Sequence, residues 1–366
     1  MTWTLAAAGD VMLTHPLGDS PAYAWLREAD LACANLEVPL SRRGYPADKP
    51  IVHQADPALA SELAALGLDV VSFANNHSLD QGPDALLDTL AAVEEAGVAV
   101  VGAGEDLRAA MAPRVIRAGE TRVAFLGLSS TLPVGSAATA SRPGVAPLRV
   151  RVSLLADAPV FEEQPGTAPY VATEALPEDV ERAADAIRSA RQDADVVVAA
   201  VHWGVPPGWT APFQGLLAGY QQPLGRALID AGADLVLGHH PHTLHGVEVY
   251  RRRFICYSLG NFIFHSLAPG KPVHLTRASP PYDLRAVRPP ELSESAVFVF
   301  TGGGRHWALE LRPCAFDDQG ECRPIDGARA RSVLERVGAH CAELGTELVI
   351  DGGRGSLSAR AEGERT

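Results

Sequence analysis

The chain between residues 235 and 264 reads LVLGHHPHTLHGVEVYRRRFICYSLGNFIF. Three histidines fall within four residues of this stretch, namely His239, His240 and His242. The apolar runs on either side, residues 233–237 and 253–259, are short and bounded by glycine, which is typical of buried strands. We therefore expect the histidines in a loop at the end of a buried strand, where open α/β sheets usually place their binding sites.

Imidazoles two residues apart in such a loop can converge on one cation. Side chains two apart in an extended segment face the same side, so His240 is favoured over His239 as the neighbour of His242. His239 is then expected to support the site from behind or to contact a substrate.

The composition is that of an ordinary soluble globular protein, with 366 residues of which 47% are hydrophobic and 20% charged. The length allows one large domain or two smaller ones. A net charge of −13 argues against non-specific binding to nucleic acid or anionic membranes. The five cysteines include no C-x-x-C pair, so no disulfide framework is expected. With no signal-peptide pattern and no window of ~18 apolar residues, we expect a cytoplasmic protein without a membrane span.

Strand-like and helix-like patterns alternate along most of the chain, which predicts a layered α/β domain. The other predicted strands cover residues 3–9, 31–36, 70–74, 98–101, 122–128, 195–201, 296–301 and 306–311. The predicted helices cover residues 21–29, 57–66, 83–96, 177–190, 221–231 and 328–344. Long loops are expected at 129–175, 205–215 and 266–292, and a hairpin with its turn at 318–320 is expected within 314–326.

Side chains able to bind metal follow five of these segments. They are Asp10; Asn35 and Glu37; Asn76 and His77; His202; and His239, His240 and His242. This mixture of carboxylate, amide and imidazole suits Mn, Fe or Zn better than Ca or Mg. The set is too large for one tetrahedral ion, so two divalent transition metals bridged by a carboxylate are expected, ~3.5–4 Å apart as in other two-metal sites.

Plainer explanations exist for several neighbouring residues. Asn35 is suited to hydrogen bonding at a strand end, and Trp203 to forming a wall of the site. Ser258 and Asn261 follow a strand and could simply form a turn. The remaining single histidines are most simply loop, surface or supporting residues: His15, His245 and His265.

Six motifs stand in the same order as in a known family. They are G-D-V-M (9–12), N-L-E (35–37), A-N-N-H-x-x-D-x-G (74–82), H-W-G (202–204), G-H-H-P-H (238–242) and Y-S-L-G-N-F (257–262). On these motifs the chain resembles the CapA family of poly-γ-glutamate capsule biosynthesis proteins, whose domain is similar to calcineurin-like metallophosphoesterases. The resemblance spans about residues 4–311, and the last fifty residues also look like that family's C-terminal end.

The resemblance implies a four-layer αββα sandwich of the metallophosphoesterase type, with long loop insertions and a small C-terminal extension. Residues 1–312 would form the catalytic domain, and residues 313–366 would form a hairpin, helix and tail packed on it. The metal site would lie at the strand ends.

The resemblance also implies roles for individual residues. One metal would be held by Asp10 and His242, the other by Asn76, His202 and His240, and Glu37 would bridge them. His77 would be the catalytic acid near the leaving group, and Asp80 would orient it. Met12 stands where the wider superfamily has a histidine, which predicts that the first metal binds more weakly or that only one binds.

The implied function is a metal-dependent hydrolase, in which a metal-bound hydroxide attacks a phosphoester or a γ-glutamyl or other peptide amide. The alternative is a non-hydrolytic biosynthetic accessory that binds a poly-γ-glutamate-like or other acidic peptide. In that case basic loop residues would meet its carboxylates, namely Arg142, Lys271, Arg277 and Arg285. A third possibility is a scaffold whose metal site has lapsed through Met12. A small-molecule or acidic peptide substrate is expected as partner, and no nucleic acid.

Overall fold

The computed structural model describes residues 2–49, 51–164, 166–167, 169–204, 217–267, 290–303 and 306–359. The expectations for Lys271, Arg277 and Arg285, and most of the loops at 205–215 and 266–292, lie outside these residues.

Strands make up most of the regular structure in the described residues. In chain order they are β1 (Trp3–Met12), β2 (Leu31–Leu36), β3 (Val70–Ser72), β4 (Ala99–Val101), β5 (Ala103–Gly104), β6 (Arg114–Ala118), β7 (Thr121–Ser129), β8 (Gly144–Val145), β9 (Val150–Leu155), β10 (Tyr170–Ala175), β11 (Val196–His202), β12 (Leu235–His239), β13 (Val247–Tyr250), β14 (Arg253–Cys256), β15 (Asn261–Phe264), β16 (Glu294–Gly303), β17 (His306–Phe316), β18 (Cys322–Pro324), β19 (Val349–Asp351) and β20 (Arg354–Ser358).

The helices connect and cover these strands. They are α1 (Ala24–Arg27), α2 (Ala60–Ala65), α3 (Pro83–Glu95), α4 (Leu107–Ala110), α5 (Ala158–Glu163), α6 (Pro177–Asp193), α7 (Gln221–Ala231) and α8 (Gly327–Glu343). Short 3-10 turns precede α1 and α2, at Pro21–Tyr23 and Pro57–Leu59. No helix in the described part of the chain has the length and apolar character needed to cross a membrane.

Ten of the described strands form the larger sheet, with β1 near its centre. Its order is β19-β20-β17-β16-β1-β2-β3-β4, with β15 added to β1 and β18 added to β17. Strands β1 to β4 run parallel to one another. The pairs β1–β16, β16–β17 and β17–β20 are antiparallel. The C-terminal segment therefore extends this sheet through β18, β19 and β20. The predicted hairpin is confirmed, since Gly320 N–H donates to Asp317 O across the turn.

The smaller sheet has six strands among the described residues, in the order β13-β14-β12-β11-β7-β6. Its four central strands, β7, β11, β12 and β14, run parallel. The edge strands β6 and β13 pair antiparallel to their neighbours. Helices α6 and α7 precede the parallel strands β11 and β12, as expected of crossover connections.

Apolar side chains pack on both faces of each sheet. Along β1, Ala6 joins a cluster shared with α2 and α3, whereas Leu5 joins a second cluster that contains Val198 of the smaller sheet. This alternation follows from the two-residue period of a strand. A third cluster, which contains Leu228 of α7, packs on the other face of the smaller sheet. The coarse prediction of a layered α/β protein is therefore confirmed.

Two predictions about individual elements were wrong. Residues 129–175 are not one long loop, because β9 and β10 pair as an antiparallel ribbon and α5 lies between them. The run 253–259 is not one strand either: β14 ends at Cys256, and β15 begins at Asn261 in the other sheet. Gly260, with φ of 69°, lies at this crossing between the sheets.

Candidate metal centre

The predicted ligands meet at the carboxyl ends of parallel strands from both sheets. The larger sheet supplies Asp10 from β1, Glu37 directly after β2, and Asn76 in the segment after β3. The smaller sheet supplies His202 at the end of β11, and the three clustered histidines begin at the end of β12. The site is thus assembled from two sheets, and each sheet contributes part of the ligand set.

Asp10 lies in an irregular part of β1, held in place by a close backbone approach. The register between β1 and β2 shifts between Ala7 and Asp10. A Cβ atom at Gly9 would lie 2.0 Å from Gly260 O, so only glycine fits there. The Asp10 N–H donates to the same carbonyl oxygen at 3.0 Å. This contact joins β1 to the segment that crosses between the sheets.

The Asp10 carboxylate is fully buried among donors. Its Oδ1 accepts a hydrogen bond from Asn35 Nδ2 at 2.9 Å and lies 3.2 Å from His239 Nδ1. Its Oδ2 lies 3.3 Å from His242 Nδ1. Burial alone raises the pKa of Asp10, but the hydrogen bonds and charges of His239 and His242 outweigh it and hold the pKa well below the ordinary value. Asp10 is therefore an anionic acceptor.

Glu37 is the least compensated carboxylate of the site. It is 0% exposed, and neither carboxylate oxygen has a hydrogen-bond partner among the described residues. The closest imidazole nitrogens are His202 Nε2 at 3.6 Å and His242 Nε2 at 4.0 Å. Burial, together with the charge of Asp10, raises the pKa of Glu37 well above its ordinary value. A buried carboxylate without donors is costly unless a cation accompanies it.

Glu37 belongs to two sets of side chains whose ligand atoms are close together. In each set the ligand atoms all lie within 4.8 Å of one another. One set is Glu37, His202 and His240, and the other is Asp10, Glu37 and His242. Asn76 adjoins the first set, with its Oδ1 2.7 Å from His202 Nε2. These oxygen and nitrogen donors fit borderline divalent ions such as Mn, Fe or Zn.

The backbone of the histidine loop differs from the expected extended segment. His240 and His242 both have positive φ values, 96° and 59°, which are uncommon for residues with a side chain. The expectation of an extended segment, in which both side chains face the same side, was therefore wrong. The two rings nevertheless lie near each other, with centroids 5.8 Å apart. His239 instead contacts Asp10 directly. Such backbone conformations cost ~1–3 kcal/mol each and are concentrated at functional sites.

Two asparagines hold the ligands in position. Asn35 donates to Asp10 and accepts a hydrogen bond from Asn75 Nδ2 at 3.1 Å, which links β2 to the segment after β3. Asn261 donates to His242 O at 3.0 Å, and its Oδ1 lies 2.8 Å from His242 Nδ1. A polar partner on the second ring nitrogen orients an imidazole, so Asn261 does more than form a turn.

Trp203 and Ser258 are buried beneath the site. Trp203 is fully buried in the cluster under α6 and α7, and its Nε1–H donates to Tyr257 O at 2.9 Å. Ser258 Oγ accepts a hydrogen bond from Gly260 N–H at 3.2 Å. Met12 is also fully buried in an apolar cluster, so it offers no nitrogen or oxygen ligand where the wider superfamily has a histidine.

His77 and Asp80 form a buried pair next to Asn76. His77 Nδ1 lies 2.7 Å from Asp80 Oδ2, and the two side chains are 7% and 0% exposed. Burial, reinforced by the charge of Lys49, lowers the pKa of His77 well below its ordinary value. Asp80 is therefore placed to accept a hydrogen bond from Nδ1–H of the neutral ring, as expected of a group that orients an imidazole.

Two residues at this pair were missed by the sequence analysis. Lys49 forms an ion pair with Asp80, and the ring of His53 lies 4.3 Å from that of His77. Both come from a segment interpreted only as a polar loop. Nothing in its pattern indicates which side chains turn toward the site.

A third group of possible ligands lies outside this centre and consists of His15, His265 and Glu321. The Thr14 N–H donates to His265 Nδ1 at 2.9 Å, which leaves the proton of the neutral ring on Nε2. That nitrogen faces Glu321 Oε1 at 3.6 Å. A protonated nitrogen cannot bind a metal, so we interpret this group as a polar contact. Either a surface or a supporting position was expected for His265 and His245; both are buried, which excludes the surface position.

Comparison with protein families gives a match over most of the chain. The family model described as bacterial capsule synthesis protein PGA_cap matches residues 4–266. This range contains all the candidate ligands of the metal centre, from Asp10 to His242.

Individual relatives agree with that match. An uncharacterized protein of Sinorhizobium fredii is 31% identical over 316 residues, which cover 72% of this chain and 67% of that protein. The capsule biosynthesis protein CapA of Bacillus anthracis is 31% identical over 244 residues, 66% of this chain and 52% of that protein. A probable polyglutamine synthesis accessory protein of Mycobacterium tuberculosis is 32% identical over 254 residues, which cover 68% of this chain and 59% of that protein. The chain thus spans between about half and two thirds of the length of these relatives.

Proposed function

The chain belongs to the bacterial capsule synthesis protein PGA_cap family, and from that premise we propose that it is a metal-dependent hydrolase. Its substrate would be a phosphoester or a γ-glutamyl or other peptide amide. One observation carries the proposal: Glu37 is buried without a hydrogen-bond partner among the described residues, and both candidate ligand sets share it. A carboxylate that bridges two cations would be buried without hydrogen-bond donors in this way, because the cations balance its charge.

The proposal includes the finer assignment of the fold. We assign residues 1–312 to a four-layer αββα sandwich of the metallophosphoesterase type, and residues 313–366 to an extension packed on it. The boundary at residue 312 falls within the continuous strand β17.

The chemistry divides between bound ions and the chain's own residues. Two divalent transition metals, Mn, Fe or Zn, would activate water and stabilise the charge that develops on the substrate. The residues that would hold them are Asp10, Glu37, Asn76, His202, His240 and His242. His77 would donate a proton to the leaving group from Nε2; with Asp80 at Nδ1, it would do so as the imidazolium, which carries a proton on each nitrogen. Asn35, Asn261 and His239 would hold the ligands in place.

Metal reconstitution tests the proposal. The purified full chain is loaded separately with Mn, Fe or Zn and assayed against phosphomonoesters, phosphodiesters and γ-glutamyl peptides. We expect hydrolysis of one class, a loss of about 10²–10⁴-fold in kcat for His77→Ala, and loss of metal for Glu37→Gln. His340→Ala, on the partly exposed side of α8, is the matched control and should keep wild-type activity. A metal-loaded wild-type protein that hydrolyses none of these substrates would contradict the proposal.

The names of the CapA and polyglutamine synthesis accessory relatives favour a second candidate function. This is a biosynthetic accessory that binds an acidic peptide, such as a poly-γ-glutamate chain, without cleaving it. His77→Ala separates the two in a cellular assay of polymer production. Survival of that function in the variant would favour the accessory, and its loss would favour the hydrolase.

A further inference from the structure

Four arginines line a cavity on the smaller sheet, away from the candidate metal centre. The volume of the cavity is about 440 Å³, within the range of ~300–1,000 Å³ that is typical of small-molecule sites. Arg191 comes from the last turn of α6, and Arg251, Arg252 and Arg253 come from the hairpin between β13 and β14. The described lining contains one acidic residue, Asp234.

The cavity lies where the parallel strands of the smaller sheet begin. Asp234 directly precedes β12, and Arg253 is the first residue of β14, which runs parallel to β12. The histidines of the candidate metal centre start at His239, the other end of β12. Four residues of strand separate Leu235 from His239, which is ~13 Å at the usual rise. The cavity is therefore separate from the candidate metal centre.

Two of the four arginines hold buried structure. Arg191 donates to Asp195 O at 2.6 Å and Gly232 O at 2.7 Å, and it pairs with Oδ2 of Asp234. Arg253 pairs with Oδ1 of the same carboxylate at 2.8 Å. Asp234 is buried, so it needs these partners. Packing and hydrogen bonding thus explain Arg191 and Arg253 without any ligand.

The other two arginines occupy a turn that does not favour them. Tyr250 pairs with Arg253, so Arg251 and Arg252 are the two central residues of the hairpin turn. Their φ values are 48° and 63°. Two-residue turns with positive φ at both positions prefer pairs such as Asn-Gly, because larger side chains crowd the backbone there. Residues kept in such conformations are concentrated at functional sites.

The charges around the cavity leave a positive excess. Asp234 pairs with Arg191 and Arg253, and Asp230 pairs with Arg251 at 3.0 Å. Four guanidinium groups therefore face two carboxylates, on a chain whose net charge is −13. Guanidinium groups bind the oxygens of carboxylates and phosphates through pairs of parallel hydrogen bonds. The excess of two positive charges fits a dianion.

We propose that this cavity binds the phosphate group of a small molecule, with Arg251 and Arg252 as its main contacts. A phosphate monoester carries about −1.5 to −2 charges on one centre, with three acceptor oxygens. Three consecutive arginines concentrate their donors within one short hairpin, which suits a single compact dianion better than two separate carboxylates. The proposal does not depend on hydrolysis, because the candidate metal centre lies at the other end of the same strands.

Calorimetric titration of the full chain with inorganic phosphate tests the site. Bound metal is first removed by chelation, because ions at the candidate metal centre would themselves bind phosphate. We expect binding that weakens as salt is added. Arg251→Asn combined with Arg252→Gly should weaken it by at least about 10-fold, because charge-assisted hydrogen bonds are lost.

Arg117→Gln, which removes an exposed arginine from β6 of the same sheet, is the matched control. It should bind phosphate as tightly as the wild type does. No binding by the wild type, or equal affinities in the wild type and the double variant, would overturn the proposal.

The double variant is chosen to preserve the fold. Asn-Gly is the pair that such turns prefer, so the melting temperature of the variant should equal or exceed that of the wild type. Loss of phosphate binding then reports on the missing guanidinium groups. If the Asn-Gly variant does not fold, Arg251→Gln combined with Arg252→Gln removes the same charges and is titrated in its place.

Two further measurements identify the ligand class and its position. Glutarate, a dianion with two separate carboxylates, should bind more weakly than phosphate, and tighter binding of glutarate would overturn the assignment to phosphate. Hydrogen exchange should slow in residues 250–253 when phosphate is added to the metal-free chain. Protection confined to residues 239–242 would place the phosphate at the candidate metal centre and would also overturn the proposal.

Discussion

At the scale of single residues, the burial of Glu37 has a cost in stability, which the cations proposed at the site would offset. A buried carboxylate without donors must either lose its charge or destabilise the protein, as the raised pKa of Glu37 indicates. Residues retained at such a cost are concentrated at functional sites. Replacing the carboxylate by a neutral group of the same shape should therefore separate its effect on stability from its effect on metal binding.

We predict that Glu37→Gln lowers bound metal and at the same time raises the free energy of unfolding of the metal-free protein by about 1–3 kcal/mol. The gain arises because the amide has no charge to desolvate. Urea unfolding and elemental analysis measure the two effects, and Glu94→Gln, which is exposed on α3, is the control. A metal-free variant less stable than the wild type would be contrary to this prediction.

His245 provides a test of pH dependence. It is 3% exposed, and neither ring nitrogen has a hydrogen-bond partner in the described part of the chain. Burial, with a smaller contribution from His340, lowers the pKa of His245 to about 4. The unfolded chain takes up a proton there below about pH 6.5, whereas the folded chain does so only near pH 4. Acid therefore favours the unfolded state between these values.

We predict that the wild type loses stability as the pH falls from 6.5 to 4.5, and that His245→Gln loses about 2–3 kcal/mol less over that range. Urea unfolding at several pH values measures the difference. His340→Gln removes only the smaller contribution to the lowered pKa of His245, so its curve should lie closer to that of the wild type than the curve of His245→Gln does. Parallel curves for wild type and His245→Gln would mean that His245 is not held neutral.

The sequence indicated residues that the structure brings together as candidate ligands, but not all of their neighbours. Asp10, Glu37 and His202 could be predicted because they end or follow apolar runs, and strand ends at one edge of a sheet lie close together. Lys49 and His53 could not, because an irregular segment has no periodicity from which the direction of a side chain follows. The positive φ values of His240 and His242 could not be predicted either, since residues with a side chain seldom adopt them.

At the scale of elements, an ion pair whose carboxylate is buried joins the first turn of α6 to Arg149, the residue before β9. Asp179 is fully buried and accepts hydrogen bonds from Arg149 N, Nε and a terminal guanidinium nitrogen, at 2.8, 2.7 and 2.7 Å. Arg182, one turn further along α6, donates to the same carboxylate at 2.6 Å. A carboxylate in the first turn also suits the positive end of the helix dipole.

We predict that Asp179→Ala lowers the free energy of unfolding by about 3 kcal/mol, because two arginines lose a buried partner. Asp185→Ala on the same helix removes an exposed ion pair with Arg188 and should cost less than about 0.5 kcal/mol. Thermal and urea unfolding of the two variants measure the contrast. Similar losses in both would show that burial of Asp179 contributes little.

Element prediction succeeded where periodicity is strong. The helices at 83–96 and 177–190 were found because apolar residues recur on one face and glycine or polar residues end them. The ribbon of β9 and β10 was missed because its side chains are mostly partly buried or exposed, which leaves only a weak alternation. The break between β14 and β15 was missed because a crossing between two sheets leaves the hydrophobic pattern uninterrupted.

At the scale of the whole molecule, the candidate metal centre joins the two sheets. Asp10, Glu37 and Asn76 come from the larger sheet, and His202, His240 and His242 follow strands of the smaller one. The layered α/β class could be predicted from alternation, but strand order could not, because pairing partners such as β1 and β16 lie almost three hundred residues apart.

We predict that chelation lowers the melting temperature of the metal-loaded protein by several degrees, since a ligand at about 100 times its dissociation constant contributes about 2.7 kcal/mol. Differential scanning calorimetry before and after chelation measures the shift, and readdition of the same metal should reverse it. Glu37→Gln should show a much smaller shift. A wild type unaffected by chelation would argue against metal binding at this site.

The division of the ligands between the two sheets has a consequence for the order of folding. Neither sheet alone brings together both candidate ligand sets, because Glu37 comes from one sheet and the histidines from the other. If the chain binds metal as proposed, a cation would not template either half of it during synthesis and would be captured only after the sheets have docked. Newly made protein would then first fold as a metal-free form, in which no cation balances Glu37, and we expect this form to be the more susceptible to proteolysis.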